Sequence, residues 1–169
     1  VACGTAYYAA EIISSYIRMF SSVRSEAFIA SEFPAKSVCS AKTLTIGISQ
    51  SGETKDTIDA IMEAKKHGGH ISSMCNVIGS TLARFTGNGA YLHAGPEYAV
   101  ASTKAFTNML SVLLLLSITI SSIPEIKIRK IVQELRELPN RVSQNLREDD
   151  GSIEKAVRIL EDASSAIFI

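Results

Sequence analysis

The residues best suited to chemistry in this chain are Ser49, Gln50, Ser51 and Thr54, gathered around Gly52 in the run Ile48-Ser49-Gln50-Ser51-Gly52-Glu53-Thr54. Before them, Leu44, Ile46 and Ile48 alternate with Thr43 and Thr45 as in a buried strand; after them, Ile58, Ile61, Met62 and Lys65 fall at helical spacing. The hydroxyls therefore sit on a strand-to-helix turn. A helix's first turn has unpaired backbone N–H groups and the positive end of its dipole, so it attracts anions. Ser49, Ser51 and Thr54 add side-chain donors, and Gly52 lets backbone approach a ligand closely. No Lys or Arg lies inside the turn, which suits a phosphate held by neutral donors. The plainer alternative is a capped tight connection that binds nothing.

Two further junctions carry the same kind of inventory. Cys3-Gly4-Thr5-Ala6 follows the opening apolar run, and Val100-Ala101-Ser102-Thr103-Lys104 precedes a long apolar helix. Ligands of parallel α/β sheets bind beyond the carboxyl ends of the strands. If the three turns meet there, their hydroxyls and N–H groups surround one small, oxygen-rich anion, and a sugar phosphate fits.

The elements that must position these turns alternate strand and helix, which predicts an α/β fold: a three-layer αβα sandwich with a parallel sheet of about five strands. Strands are expected at 1–3, 23–29, 44–49, 71–77 and 89–92. Helices are expected at 6–20, 53–67, 80–85 and 102–121, with a short turn at 31–33. Pro124 suits a first helical position. Beyond it, Ile128, Ile131, Leu135, Leu138 and Val142 recur at steps of 3, 4, 3 and 4, a seam that Pro139 should kink or restart. A last amphipathic helix carries Ile153, Ala156, Val157 and Leu160 on one face. The expected organisation is a domain over 1–123, a helical extension over 124–165 packing on it, and the start of another domain at 166–169. Val1-Ala2-Cys3 reads as the tail of a strand already under way, and Ala166-Ile167-Phe168-Ile169 as one cut short, so the chain is expected to be part of a longer protein.

Composition narrows the function classes. The 169 residues are 46% hydrophobic with a mean hydropathy of +0.18, which favours one large core over disorder. Seventeen basic residues balance seventeen acidic ones, so nothing suggests the basic face that a grip on nucleic acid needs. Cys3, Cys39 and Cys75 lack CxxC spacing and read as small buried residues in a reducing compartment. His67, His70 and His93 form no metal-ligand set. The longest apolar run, Met109 to Ile123, is shorter than the ~20 residues that cross a bilayer and reads as a core helix.

Cys3-Gly4-Thr5, Ala30-Ser31-Glu32-Phe33, Ser49 to Thr54, Cys75-Asn76-Val77 and the run from His93 to Phe106 occur in an order and spacing that resemble a known family. The likeness is to the first sugar isomerase (SIS) subdomain of the isomerising glutamine–fructose-6-phosphate aminotransferases, and it extends through essentially the whole chain. The resemblance implies a SIS, flavodoxin-like or Rossmann-like fold. It implies that Ser49, Gln50, Ser51 and Thr54 grip the phosphate of fructose 6-phosphate, and that Thr5, Val100 and Ser102 line the sugar. It implies glucosamine 6-phosphate as product, no cofactor, a cytoplasmic homodimer, and partner domains in the same protein: a second SIS domain with the acid–base groups and a glutaminase domain that releases ammonia. On that division of labour the chain by itself holds substrate without turning it over. The family often has serine after Cys-Gly-Thr; Ala6 stands here, so one hydroxyl contact is expected to be missing or replaced, at about 0.5–1.5 kcal/mol of binding. A phosphosugar-sensing SIS domain of a transcription regulator is the alternative from another class. A dinucleotide-binding domain is disfavoured by the lack of G-x-G-x-x-G after the opening strand.

Other polar residues have simpler expected roles. A first-turn Lys104 opposes the helix dipole, which suggests a salt bridge. Glu97 reads as a loop-anchoring carboxylate rather than a general base. Glu53 is explained by the dipole and should turn away from a bound anion. Asn76 and Ser80 read as a turn and a cap.

Overall fold

A computed structural model describes residues 1–98, 102–148, 151–165 and 167. The chain divides into two compact units, Val1–Pro124 and Glu125–Ile169. The first unit contains α1 (Thr5–Phe20), a single 3-10 turn (Ala30–Glu32), α2 (Ala35–Val38), β1 (Leu44–Ser49), α3 (Lys55–Lys66), β2 (His70–Cys75), α4 (Thr81–Thr86), β3 (Gly89–Tyr91) and α5 (Lys104–Thr119).

The sheet is parallel throughout. β1 pairs with β2 in the register Leu44 to His70 through Ser49 to Cys75, and β2 pairs with β3 from Ser73–Gly89 to Cys75–Tyr91. The two expected strands at 1–3 and 23–29 are not continuous. Each survives as a single parallel bridge, Ala2 pairing with Ile48 on one side and Ile29 on the other. The physical reason is local. Gly4, at φ 56° and ψ −137°, turns the chain into α1 immediately after Cys3, which leaves little backbone to pair. Within 23–29, Val23, Arg24 and Glu26 are exposed, and Arg24 pairs with Glu26 across the surface, so no alternating buried face forms. The lateral order of the five segments is nevertheless 29, Ala2, β1, β2, β3. In chain order that is 2-1-3-4-5, with the reversal of direction between the Ala2 segment and β1.

Helices cover both faces. On one, α1 and α5 pack together through Ala6, Ala9, Ala10 and Ile13 against Met109 and Leu113, over Ile48 and Met74 of the sheet. The run of alanines on α1 lets the two helices approach closely, and that pairing buries Met109 and Leu113 of the apolar α5. On the other face, α3 and α4 bury Ala60, Ile61 and Leu82 against Cys75. Among the described residues no helix is long and apolar enough to cross a membrane.

The second unit holds α6 (Glu125–Arg147) and α7 (Ser152–Glu161). Of the kink or restart expected at Pro139, the restart does not occur: α6 runs on through it as one helix. Of the seam residues, Ile128, Ile131 and Leu135 are half-buried, whereas Leu138 and Val142 are exposed. The strand expected at 166–169 lies almost wholly outside the described residues.

Candidate ligand-binding site

A cleft of about 470 Å³ opens where the strand order reverses, between the ends of the Ala2 segment and β1. All three turns singled out above reach it. Cys3, Gly4, Thr5 and Ala6 come from the start of α1; Ser49, Gln50, Ser51 and Thr54 from the β1–α3 turn. Glu97 and Ser102 come from the approach to α5, while Ile48 and Met109 supply apolar floor. Val100 lies outside the described residues. The cleft therefore gathers the beginnings of three helices, whose positive dipole ends favour an anion.

The β1–α3 turn is held by its own hydroxyls. Ser49 is buried, and its Oγ accepts the Gly52 N–H at 3.0 Å while lying 2.8 Å from Thr54 Oγ1. Ser51 Oγ accepts the Glu53 N–H at 3.1 Å, which leaves its own O–H available to the cleft. Thr54 is the N-cap of α3, yet its side chain makes no capping bond to that helix. The first-turn N–H groups of α3 therefore remain for another acceptor. Gly52 is demanded by space as well as by its φ of 68°: a Cβ there would stand 2.1 Å from Ser80 Oγ.

Two carboxylates flank the turns and do different work. Glu53 points away, its Oε1 accepting the Thr81 N–H at 2.8 Å at the start of α4. It precedes α3 and caps a neighbour, so the dipole of its own helix does not account for it. That bond holds its carboxyl below the usual carboxylate range, with Arg84 adding to the effect. Ser80, expected to cap α4, occupies the N-cap position without a capping bond, because Glu53 has taken that role. Glu97 Oε1 accepts both the N–H and the hydroxyl of Thr103, at 2.8 and 3.1 Å, and so pins the entry to α5. The Thr103 N–H is the main reason its carboxyl also lies below the ordinary range. Lys104 is exposed and has no ion pair within 4.0 Å among the described residues, so the expected salt bridge is absent; it reaches Glu97 only as a field.

Asn76 does more than make a turn. Its Nδ2 donates to Gly95 O at 2.7 Å, its Oδ1 accepts the Ala94 N–H at 2.8 Å, and its backbone N–H donates to Gln50 O at 3.0 Å. One residue at the end of β2 thereby ties the second turn to the third. Asparagine beside a strand end is a weak sequence signal, and nothing in the sequence reveals partners 18 and 19 residues away. Glu97 in the cleft wall was equally hard to foresee as more than an anchor.

The SIS domain family model matches residues 1–119. The chain belongs to the SIS domain family. Among curated relatives, a protein of Chlorobaculum tepidum named glutamine–fructose-6-phosphate aminotransferase [isomerizing] is 41% identical over 99% of this chain, which spans 28% of that relative. Among solved structures, the C-terminal domain of glucosamine-fructose-6-phosphate aminotransferase from Francisella tularensis superposes with a TM-score of 0.85 at 32% identity, over 95% of this chain and 47% of that one. A glucosamine-6-phosphate deaminase from Thermotoga maritima, at 22% identity and a TM-score of 0.69 over 88% of this chain and 47% of that one, supports the fold alone.

Proposed function

We propose that this SIS domain holds the phosphate of fructose 6-phosphate at the start of α3, as part of the isomerase half of a glutamine–fructose-6-phosphate aminotransferase. One observation carries the reading: α3 begins at the cleft without a side-chain cap of its own, beside the hydroxyls of Ser51 and Thr54. Phosphate oxygens would take those donors and the first-turn N–H groups. Gln50 and Thr5 flank the anion and Ser102 faces the sugar; Val100, outside the described residues, is assigned to the sugar by the family resemblance alone. Ser49 acts from behind, by orienting Thr54. The chain's similarity to curated aminotransferases and to the Francisella tularensis domain supports the same reading.

Ring opening, isomerisation and amination need groups beyond this chain. The reading assigns them to a second SIS domain and a glutaminase domain of the whole protein, a cytoplasmic homodimer with glucosamine 6-phosphate as product. Isothermal calorimetry on the full-length protein tests the phosphate site. Ser51→Ala combined with Thr54→Val should weaken fructose 6-phosphate about 100-fold or more, the loss expected for two hydrogen bonds to a charged group. Unchanged affinity in that double variant would refute the assignment.

A further inference from the structure

Two buried polar atoms in the cleft wall, Glu97 Oε2 and Ser102 Oγ, have no hydrogen-bond partner within normal geometry among the described residues, although the Ala105 N–H lies near enough to Glu97 to help lower its carboxyl. Buried polar atoms are nearly always paired, and an unpaired charged oxygen is the most costly kind to leave. The Glu97 side chain has no freedom to relieve this itself. Its other oxygen is fixed by two bonds to Thr103, so Oε2 is held in the wall. The Thr103 N–H keeps the carboxyl ionised at neutral pH, which makes Oε2 an acceptor only. An anionic oxygen of the ligand would be repelled there, and an apolar group would leave both atoms unpaired. A ligand hydroxyl resolves both, since it donates to the carboxylate and can accept from the serine.

We infer that Glu97 is a specificity-determining residue whose Oε2 accepts a hydrogen bond from a hydroxyl on the carbon chain of the phosphosugar, with Ser102 Oγ engaging the same polyol. This rests on the reading of the cleft as a phosphosugar site and adds a direction to it. The phosphate lies against Ser51 and Thr54, and the neutral, hydroxylated part lies against Glu97. A fixed carboxylate at that end also selects against ligands that carry a second anion there, such as the 6-phosphate of a sugar acid.

The test compares fructose 6-phosphate with inorganic phosphate on the full-length protein, wild type and Glu97→Gln. The glutamine can still accept from Thr103 through its carbonyl, but it presents an N–H₂ donor where Oε2 stood. Glu97→Gln should weaken fructose 6-phosphate about 10- to 100-fold while inorganic phosphate stays within about twofold. Equal losses for both ligands would mean that Glu97 acts only by holding the start of α5, and no loss for either would remove it from the site; both outcomes overturn the inference. If the wild type binds neither ligand, the phosphosugar reading fails and takes this one with it. A wild type that binds inorganic phosphate while Glu97→Gln changes nothing leaves the phosphate site standing and Glu97 excluded. Should the variant not fold, the wild type titrated with hexitol 6-phosphates lacking single hydroxyls decides. One of them must lose about tenfold or more, and uniform affinity across the series overturns the assignment.

Discussion

The hydroxyls of Ser49 and Thr54 lie 2.8 Å apart across the β1–α3 turn, and this bond determines which donors are left for the cleft. Ser49 Oγ already accepts the Gly52 N–H. If Ser49 donates to Thr54, the Thr54 hydrogen is freed and turns toward an incoming anion. Each bond polarises the next, so the pair is a stronger donor than an isolated threonine.

Ser49→Ala and Thr54→Val should therefore fail in different ways. Ser49→Ala strips the buried Gly52 N–H of its acceptor and should cost about 1–3 kcal/mol of stability, read from urea unfolding. Thr54→Val keeps the shape and should lower phosphate affinity with little change in the unfolding midpoint. Identical profiles for the two variants would contradict a division into orienting and donating hydroxyls.

Much of this architecture was legible because period and composition agreed. The alternation through Leu44, Ile46 and Ile48 and the helical spacing from Ile58 to Lys65 fall where β1 and α3 lie. The three polar turns were identifiable because each sets hydroxyls at the boundary of an apolar run, with glycine in the first two. Illegible were features set by partners far along the chain. The segment at 23–29 has apolar residues enough for a strand, yet Ala2 alone bridges to it at Ile29. Glu53 sits where a helix dipole would explain it, yet its partner is the N–H of Thr81, 28 residues on. Ala35–Val38 forms a helix too short for any periodicity to register.

Gly52→Ala is expected to be severe for two separate reasons. Its φ of 68° disfavours any L side chain, and the added Cβ would overlap Ser80 Oγ and crowd Cys75 Sγ at 3.2 Å. A loss of about 2–4 kcal/mol should appear in chemical denaturation. Ser80→Gly in the same chain removes the overlap but not the backbone strain, so it should recover part of the loss. Full recovery would show that space alone demands glycine there.

Asn76→Ala should loosen the link between the second and third turns. Three bonds from Asn76 hold Gln50, Ala94 and Gly95 together, and His93 beside them already occupies a positive φ of 53°. Hydrogen exchange at Ala94 should quicken, and hexose phosphate affinity should fall about tenfold. Asn76→Asp keeps the acceptor for Ala94 but loses the donor to Gly95, and an intermediate effect is expected. Unaltered exchange in Asn76→Ala would show that the loop is held by other means.

Acid should expose the contribution of Glu53. Its bond to the Thr81 N–H places the folded-state value below the ordinary one near 4.5. A depressed carboxylate stabilises the fold fully above its unfolded value, and that stabilisation is lost as pH falls through the folded one. Urea midpoints of wild type and Glu53→Gln should therefore differ at pH 7 and converge as the pH drops beneath about 4.5. Glu97 is displaced in the same direction and weakens over the same range, but it is present in both proteins and does not alter their difference. A gap between the two midpoints that persists unchanged well below that range would mean that Glu53 stabilises α4 by shape or polarity and not by its charge.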